Sequence, residues 1–327
     1  MNLLIIGGAG YIGSHMVKRL LASKHSVTIL DNLSTGYRDA VLGGKFIQGD
    51  IADRALLNKV FSEHKLDAVL HFASFIQVGE SVKKPDIYYQ NNLTNTQNLL
   101  NAMNAAGVKK FIFSSTAAIF GEPNYTPIDE AHPKIPINPY GRSKWMVEQI
   151  LEDYDHAYGL KSVCLRYFNA AGADPDGVLG ERHEPESHLI PILLQVASGR
   201  RLRASVYGTD YPTPDGTCIR DYVHVMDLCE AHIAALDYLQ DHNQSWRFNL
   251  GNGNGFSVAQ VIKAVESVTG KTLAIDYAER RLGDSAVLVA DSTLARTTLG
   301  WMPQYGDLET IVQHAWEFER KIASKIH

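Results

Sequence analysis

The sequence predicts an α/β protein, a doubly wound parallel sheet with a smaller C-terminal α/β cap. Three observations carry that expectation. Short apolar runs alternate with helical stretches through the first half, a glycine-rich turn follows the first run, and the alternation breaks near residue 170. Strands that alternate with helices pair in parallel through right-handed crossovers.

In chain order, residues 2–6 read as a buried strand and 11–22 as a helix. Residues 26–30, rich in β-branched side chains, give a second strand. A third falls at 45–48, a helix at 53–63 and a fourth strand at 67–72. One long helical segment covers about 86–106, followed by a strand at 110–114, a helix at 140–158 and a strand at 162–167. Residues 171–188 are rich in Gly, Pro, Asp, Glu and His and read as a loop. Shorter elements follow, ending in a helix at about 308–322. These form a cap over the carboxyl edge of the sheet, where open α/β sheets bind ligands.

The 327 residues fit one large α/β unit or two domains, at roughly 100–200 residues per domain. A net charge of -5, with only short basic runs such as Lys83-Lys84 and Arg200-Arg201, argues against nucleic acid as a partner. Cys164, Cys218 and Cys229 are too widely spaced for a zinc motif or a redox pair and are expected to be free thiols. The apolar start at 3–6 is far too short for a secretory core. No stretch approaches the ~20 apolar residues of a membrane helix. The expected location is the cytoplasm, with no membrane partner.

Gly7, Gly10 and Gly13 form G-x-x-G-x-x-G between the first strand and its helix. Glycines let the backbone approach a pyrophosphate, and the helix N-terminus adds N–H groups and a favourable dipole. The first half is therefore expected to be a Rossmann domain, residues 1–170. Residues 171–327 bind the substrate, and later segments can cross back to the sheet. Asp31 closes the second strand near the offset of an acid that binds the adenosine ribose. A carboxylate there repels a 2′-phosphate and favours NAD over NADP; the bland alternative is a turn-forming Asp before Asn32. Asp50 ends the third strand and either reaches the adenine or caps the next helix.

Tyr140 and Lys144 stand four apart on one helix face. A cation at roughly 5 Å lowers a phenol's pKa by about two units, which makes Tyr140 a usable base near neutrality. Thr116, at the end of the fifth strand, points its hydroxyl into the ligand crevice and can relay the proton. His183, Glu184, Glu186 and His188 cluster in the 171–188 loop, but their spacing fits no standard zinc pattern. A polar substrate loop is the better reading, and no metal is expected.

With these residues in place, the chain resembles the extended short-chain dehydrogenase/reductase family, and within it the NAD-dependent nucleotide-sugar epimerases, over nearly its whole length. The matching stretches are GGAGYIGSH at 7–15, DNLSTG at 31–36, VGES at 78–81, NN at 91–92, FSST at 113–116, NPYGRSK at 138–144, LRYFNAAGA at 165–173, DYPTPDGTCIRDYVHVMDL at 210–228, RRLGD at 280–284 and LGW at 299–301.

The resemblance implies interconversion of UDP-galactose and UDP-glucose through oxidation at carbon-4 and return of hydride to the other face. It implies catalytic roles for Tyr140, Lys144 and Thr116. Around NAD it places Gly7, Gly10, Tyr11, Ile12, Gly13, Asp31, Asn32, Asp50, Ile51, Phe72, Ala73, Asn91 and Tyr167, with Tyr140 and Lys144. Around the UDP-sugar it places Asn169, His188, Leu189, Arg220, Arg281 and Asp284, with Thr116 and Tyr140. Taken without the resemblance, both arginines read as surface ion pairs. The family usually forms homodimers through paired helices, for which 86–106 and 140–158 are candidates.

This chain departs from many members by having Ile76 in place of a lysine, Thr116 in place of a serine and His188 in place of an asparagine. Leu288 stands where some members have Tyr, which would leave room for an N-acetyl group. Other substrates in view are UDP-N-acetylhexosamines, UDP-glucuronate and UDP-pentoses. A 4,6-dehydratase is disfavoured because Ala117-Ala118 follows Thr116 where such enzymes carry an acid pair. The non-enzymatic alternative is an NAD-binding sensor, which would not need the Tyr140/Lys144 pair.

Overall fold

The computed structural model describes residues 1–281 and 284–324. Leu282 and Gly283 of the RRLGD stretch lie outside the described residues. The first half supplies β1 (Asn2–Ile6), α1 (Tyr11–Leu21), β2 (Ser26–Asp31), β3 (Lys45–Gln48), α2 (Arg54–Glu63), β4 (Ala68–His71), α3 (Val78–Lys83), α4 (Pro85–Tyr88), α5 (Asn95–Ala105), β5 (Lys110–Thr116), α6 (Pro139–Tyr158) and β6 (Lys161–Tyr167). The second half adds β7 (Asn169–Ala171), α7 (Leu189–Ala197), β8 (Ala204–Tyr207), β9 (Ile219–His224), α8 (Val225–His242), β10 (Trp246–Leu250), β11 (Gly255–Ser257), α9 (Val258–Thr269), β12 (Ile275–Ala278), β13 (Val287–Leu288), α10 (Thr293–Leu299) and α11 (Leu308–Ala323).

Seven strands form one parallel sheet in the order β10-β6-β5-β4-β1-β2-β3. The period-2 pleat explains its two cores. Leu3 and Ile5 of β1 pack on one face with Met16 and Leu20 of α1 and Leu228 and Leu236 of α8. Leu4 and Ile6 face the other way, towards Leu57, Leu99, Val147 and Leu151 of α2, α5 and α6. The chain runs outward from β1 to β3 and then crosses to β4, so strand order reverses between β1 and β4. That reversal opens a crevice at the carboxyl edge.

The sheet's last strand comes from late in the chain. β10 pairs along the whole of its length with β6, and α8 packs beside α1. The remaining strands make a small sheet, β11-β9-β13 with β7 on β9, and a separate β12-β8 pair. Helices α7, α9 and α11 bury Leu193, Val261, Val265, Ile311 and Val312 in a third core beneath them. Residues 172–188 carry no helix or strand, in line with the predicted loop.

One predicted element differs. The segment read as a single helix over 86–106 is α4, a π-helical turn at Tyr89–Thr94 and α5. Asn92 supplies a physical reason, because its Oδ1 accepts the Phe75 N–H (2.9 Å) while its Nδ2 donates to the Phe75 carbonyl (3.0 Å). The wide turn lets a buried amide tie the helix to the loop after β4. All three cysteines are free and buried. Among the described residues, no helix is long and apolar enough to cross a membrane.

Candidate active site

The crevice between β1 and β4 opens into a half-open cleft. Its walls include Gly7, Gly10, Asp31, Asn32, Asp50, Ile51, Phe72, Ala73 and Asn91, so nine predicted cofactor residues converge there. Gly7 has φ +79°, and a Cβ on it would lie 2.6 Å from the Ala73 nitrogen. A Cβ on Gly13 would run into the Gly7 carbonyl oxygen. The N-terminus of α1 can therefore sit directly under the loop only because both positions are glycine. Tyr11, Ile12 and Gly13 form the first turn of α1 behind the cavity wall. The Tyr11 hydroxyl donates to the Gly172 carbonyl (2.7 Å), tying that turn to the second half of the chain.

Asp31 is buried at the end of β2, where it accepts the N–H groups of Ala9 and Leu33 (2.8 Å each). These bonds fix the carboxylate at the cavity's edge. Asn32 donates to Asp50 (2.6 Å), and Asp50 also accepts the Ala52 N–H (2.7 Å). Asp50 is thus a turn-former that still lines the cavity, and the helix cap belongs to Asp53, whose carboxylate accepts the Leu56 N–H. A pyrophosphate-sized floor without side chains, a helix N-terminus beneath it and a fixed carboxylate at the rim fit an adenine dinucleotide.

The first turn of α6 delivers the reactive pair. Asn138 caps it by accepting the Gly141 N–H (2.8 Å), and Pro139 opens it. A Cβ at Gly141 would strike the Ala118 carbonyl oxygen, so glycine allows α6 to start against the end of β5. Lys144 is 2% exposed, and its Nζ donates to Ser74 Oγ (2.6 Å) and the Ser114 carbonyl (2.8 Å). Burial pushes its pKa down to about 7. Tyr140 is held above its ordinary value, because burial outweighs its hydrogen bond with Thr116.

The lowered phenol expected from a neighbouring cation is therefore absent in the protein alone. The buried ammonium is itself disfavoured, and its two hydrogen bonds go to β4–β5 groups. Thr116 is buried at the end of β5, with its Oγ1 accepting the Ala118 N–H (3.1 Å). Tyr167 lies across from Thr116 in the sheet, and its hydroxyl donates to Ser114 Oγ (3.0 Å) and lies 2.5 Å from His232 Nε2. Its phenol is spoken for inside the protein.

Of the remaining predicted residues, Asn169 and Arg220 lie on the small sheet, and Arg281, Asp284, His188 and Leu189 lie outside its strands. Arg220 of β9 donates to the carbonyls of Ile219 (2.9 Å) and Ser285 (2.8 Å) and stands 3.5 Å from Asp284. Arg281 stacks 3.8 Å from the Tyr207 ring centre and is exposed. Asn169 donates to the Asp221 carbonyl (2.9 Å), beside Arg220. His188 caps α7, Leu189 begins it, and His188 Nδ1 lies 2.7 Å from Glu181.

Arg220 meets the end of β5 through β13. Leu288 pairs with Arg220 and packs, with Ala117 and Phe168, on the apolar cluster of Ile119, Phe120 and Ile128. Ile76 is exposed next to Phe75 of the cavity wall. Sequence reasoning missed Ser74, the cavity-wall residue that holds Lys144. Its signal was its place just past a central strand's carboxyl end. It also missed Glu181, for which spacing offered no signal.

Residues 3–251 match the NAD dependent epimerase/dehydratase family. A UDP-glucose 4-epimerase of Halalkalibacterium halodurans is 53% identical over 321 residues, covering 98% of this chain and 96% of that one. The crystal structure of UDP-glucose 4-epimerase from Brucella ovis in complex with NAD is 46% identical and superposes with a TM-score of 0.95, covering 97% of this chain and 98% of that one. The enzyme from Bifidobacterium longum, crystallised with NAD+ and UDP, is 39% identical with a TM-score of 0.94, covering 98% of each chain.

Proposed function

The chain belongs to the NAD dependent epimerase/dehydratase family, and from that membership we propose that it interconverts UDP-galactose and UDP-glucose. The observation that carries this reading is Lys144. Its Nζ bridges Ser74, a wall of the dinucleotide cavity, and the Ser114 carbonyl, one turn from Tyr140 on α6. The redox-cofactor cavity and the proton-transfer residues are thus joined by one buried cation site.

Carbon-4 of the sugar carries no acidic hydrogen, so its inversion requires oxidation. Bound NAD would supply that chemistry by taking the hydride and returning it to the opposite face. Gly7, Gly10 and Gly13 leave room for its pyrophosphate, Asp31 and Asn32 address its ribose, and Asp50, Ile51, Phe72, Ala73 and Asn91 wall its rings. Tyr140 removes the 4-hydroxyl proton, directly or through Thr116, and later gives it back. The raised phenol and lowered amine mean that the free protein favours neutral Tyr140 and a readily neutralised Lys144. Charge brought by ligands is what turns the pair into a phenolate beside an ammonium.

Arg220 and Arg281 hold the diphosphate, Arg281 having no carboxylate partner among the described residues, and Asp284 takes a ribose hydroxyl. Asn169, His188 and Leu189 complete the sugar side. Two such chains associate as a homodimer in the cytoplasm on this reading.

The test is to give purified protein UDP-galactose, with no added NAD, and follow the sugar by proton NMR. Formation of UDP-glucose is the expected outcome. No conversion, even with NAD supplied, would reject the assignment. Leu288 favours a second reading, acceptance of UDP-N-acetylhexosamines, because it sits beside Ala117 and is smaller than the alternative Tyr. Leu288→Tyr should then lower the rate on UDP-N-acetylgalactosamine about tenfold or more relative to UDP-galactose. An unchanged ratio would count against it.

A further inference from the structure

Four side chains in the 172–188 loop converge on one another. One donor atom each from Glu181, His183, Glu186 and His188 lies within 4.8 Å of all the others. The nitrogen–oxygen separations are 2.7 Å for His188–Glu181, 3.2 Å for His183–Glu181, 3.4 Å for His188–Glu186 and 3.7 Å for His183–Glu186. Both histidines present Nδ1, and each meets both carboxylates. Ligands around a tetrahedral zinc with bonds of about 2.0 Å stand about 3.3 Å apart, which falls inside this spread.

Two independent observations point to a cation at the centre. The Glu181 side chain is 6% exposed and that of Glu186 3%. Among the described residues, the Glu181 carboxylate has no partner except these two imidazoles. Both Nδ1 atoms are buried, and neither makes an aligned hydrogen bond. Each Nδ1 thus faces two carboxylate oxygens without an aligned hydrogen bond, an arrangement that positive charge between them stabilises, carried either by an ion or by protons on the rings. Glu186 is also oriented from behind, accepting the N–H groups of Ser187 (2.8 Å) and His188 (2.9 Å). Metal-bound carboxylates are commonly positioned in this way.

We propose that Glu181, His183, Glu186 and His188 form a binding site for one divalent transition-metal ion, zinc by preference, that locks the loop onto the start of α7. Two imidazoles and two carboxylates suit zinc better than calcium or magnesium, which prefer all-oxygen shells. With four protein ligands the site is closed, so the ion is structural and takes no part in the chemistry. His188 is left with Nε2 and a half-exposed ring for the substrate side, held neutral by the metal. The cluster expected from the sequence included Glu184 in place of Glu181. Glu184 is exposed, and the fold brings in Glu181 instead.

The experiment uses the full-length protein, stripped with a chelator and then titrated with zinc and with cobalt(II). Metal content after gel filtration and the visible spectrum of the cobalt form are read. One zinc per chain and the intense absorption of tetrahedral cobalt are expected. Glu184→Gln should leave both unchanged, while His183→Ala and Glu181→Gln should each weaken binding by about 100-fold or more. Retention of less than a tenth of an equivalent by the wild-type chain would overturn the proposal in favour of a protonated histidine pair. So would equal binding by His183→Ala and Glu181→Gln. Either result leaves the epimerase reading untouched, since metal content and turnover are measured separately.

Discussion

At the scale of single residues, the site is a contest between burial and charge. Tyr140→Phe removes the proton carrier but none of the cavity walls, so it should keep NAD bound while turnover falls by at least about 10²-fold. Near-normal turnover with retained NAD fluorescence quenching would remove Tyr140 from its role. The glycines, Asp31, Tyr140 and Lys144 were legible because each rests on a spacing relative to one strand or one helix. Ser74 and Glu181 were not, because their importance lies in contacts between distant segments. The direction of the Tyr140 shift also escaped a sequence argument. A pairwise Coulomb estimate saw the cation but not the desolvation of both partners, which the packing of α6 on β5 decides.

At the scale of elements, α6 is the one on which the chemistry hangs. It is stapled to β5 and β6 by Glu148, whose buried carboxylate accepts Ser115 Oγ (2.5 Å) and Arg166 Nη2 (2.7 Å). Glu148→Gln leaves the Arg166 charge buried and should cost about 3–5 kcal/mol of stability. A urea midpoint within error of wild type would show that the pair contributes nothing. The predicted strands and the body of α6 were readable from apolar runs and helical periodicity. The π-helical turn at Tyr89–Thr94 was not, because its cause, the Asn92 grip on Phe75, is a tertiary contact with no periodic signature.

At the scale of the molecule, buried histidines make the fold sensitive to acid. His15 and His232 are pushed down to about 4 and His71 and His224 to about 3, in each case chiefly by burial. In His15 both ring nitrogens are occupied, Nδ1 by the Tyr11 carbonyl and Nε2 by the Asp174 N–H, so a second proton breaks a bond. Between about pH 6.5 and 4 the unfolded chain binds these protons and the folded one does not, so stability falls as pH falls. Each histidine contributes on the order of 1–2 kcal/mol by about pH 5. Asp221, raised to about 6 by burial, works the other way, since its folded form takes up a proton first. The urea midpoint should drop between about pH 7.5 and pH 5, and a flat profile would contradict the buried neutral state.

The whole-molecule feature least visible in the sequence was the return of β10 to β6, because nothing local in residues 246–250 says which edge they join. It bears on how the chain is made. About eighty residues separate the end of β6 from the end of β10. At roughly 5–20 residues per second, a ribosome needs several seconds to supply the strand that covers that edge. Throughout that interval a nascent chain offers an open β6 and an apolar sheet face awaiting α8, which are surfaces chaperones bind. A stalled or prematurely terminated product ending before residue 246 should therefore aggregate or be degraded, however complete its glycine loop and catalytic helix.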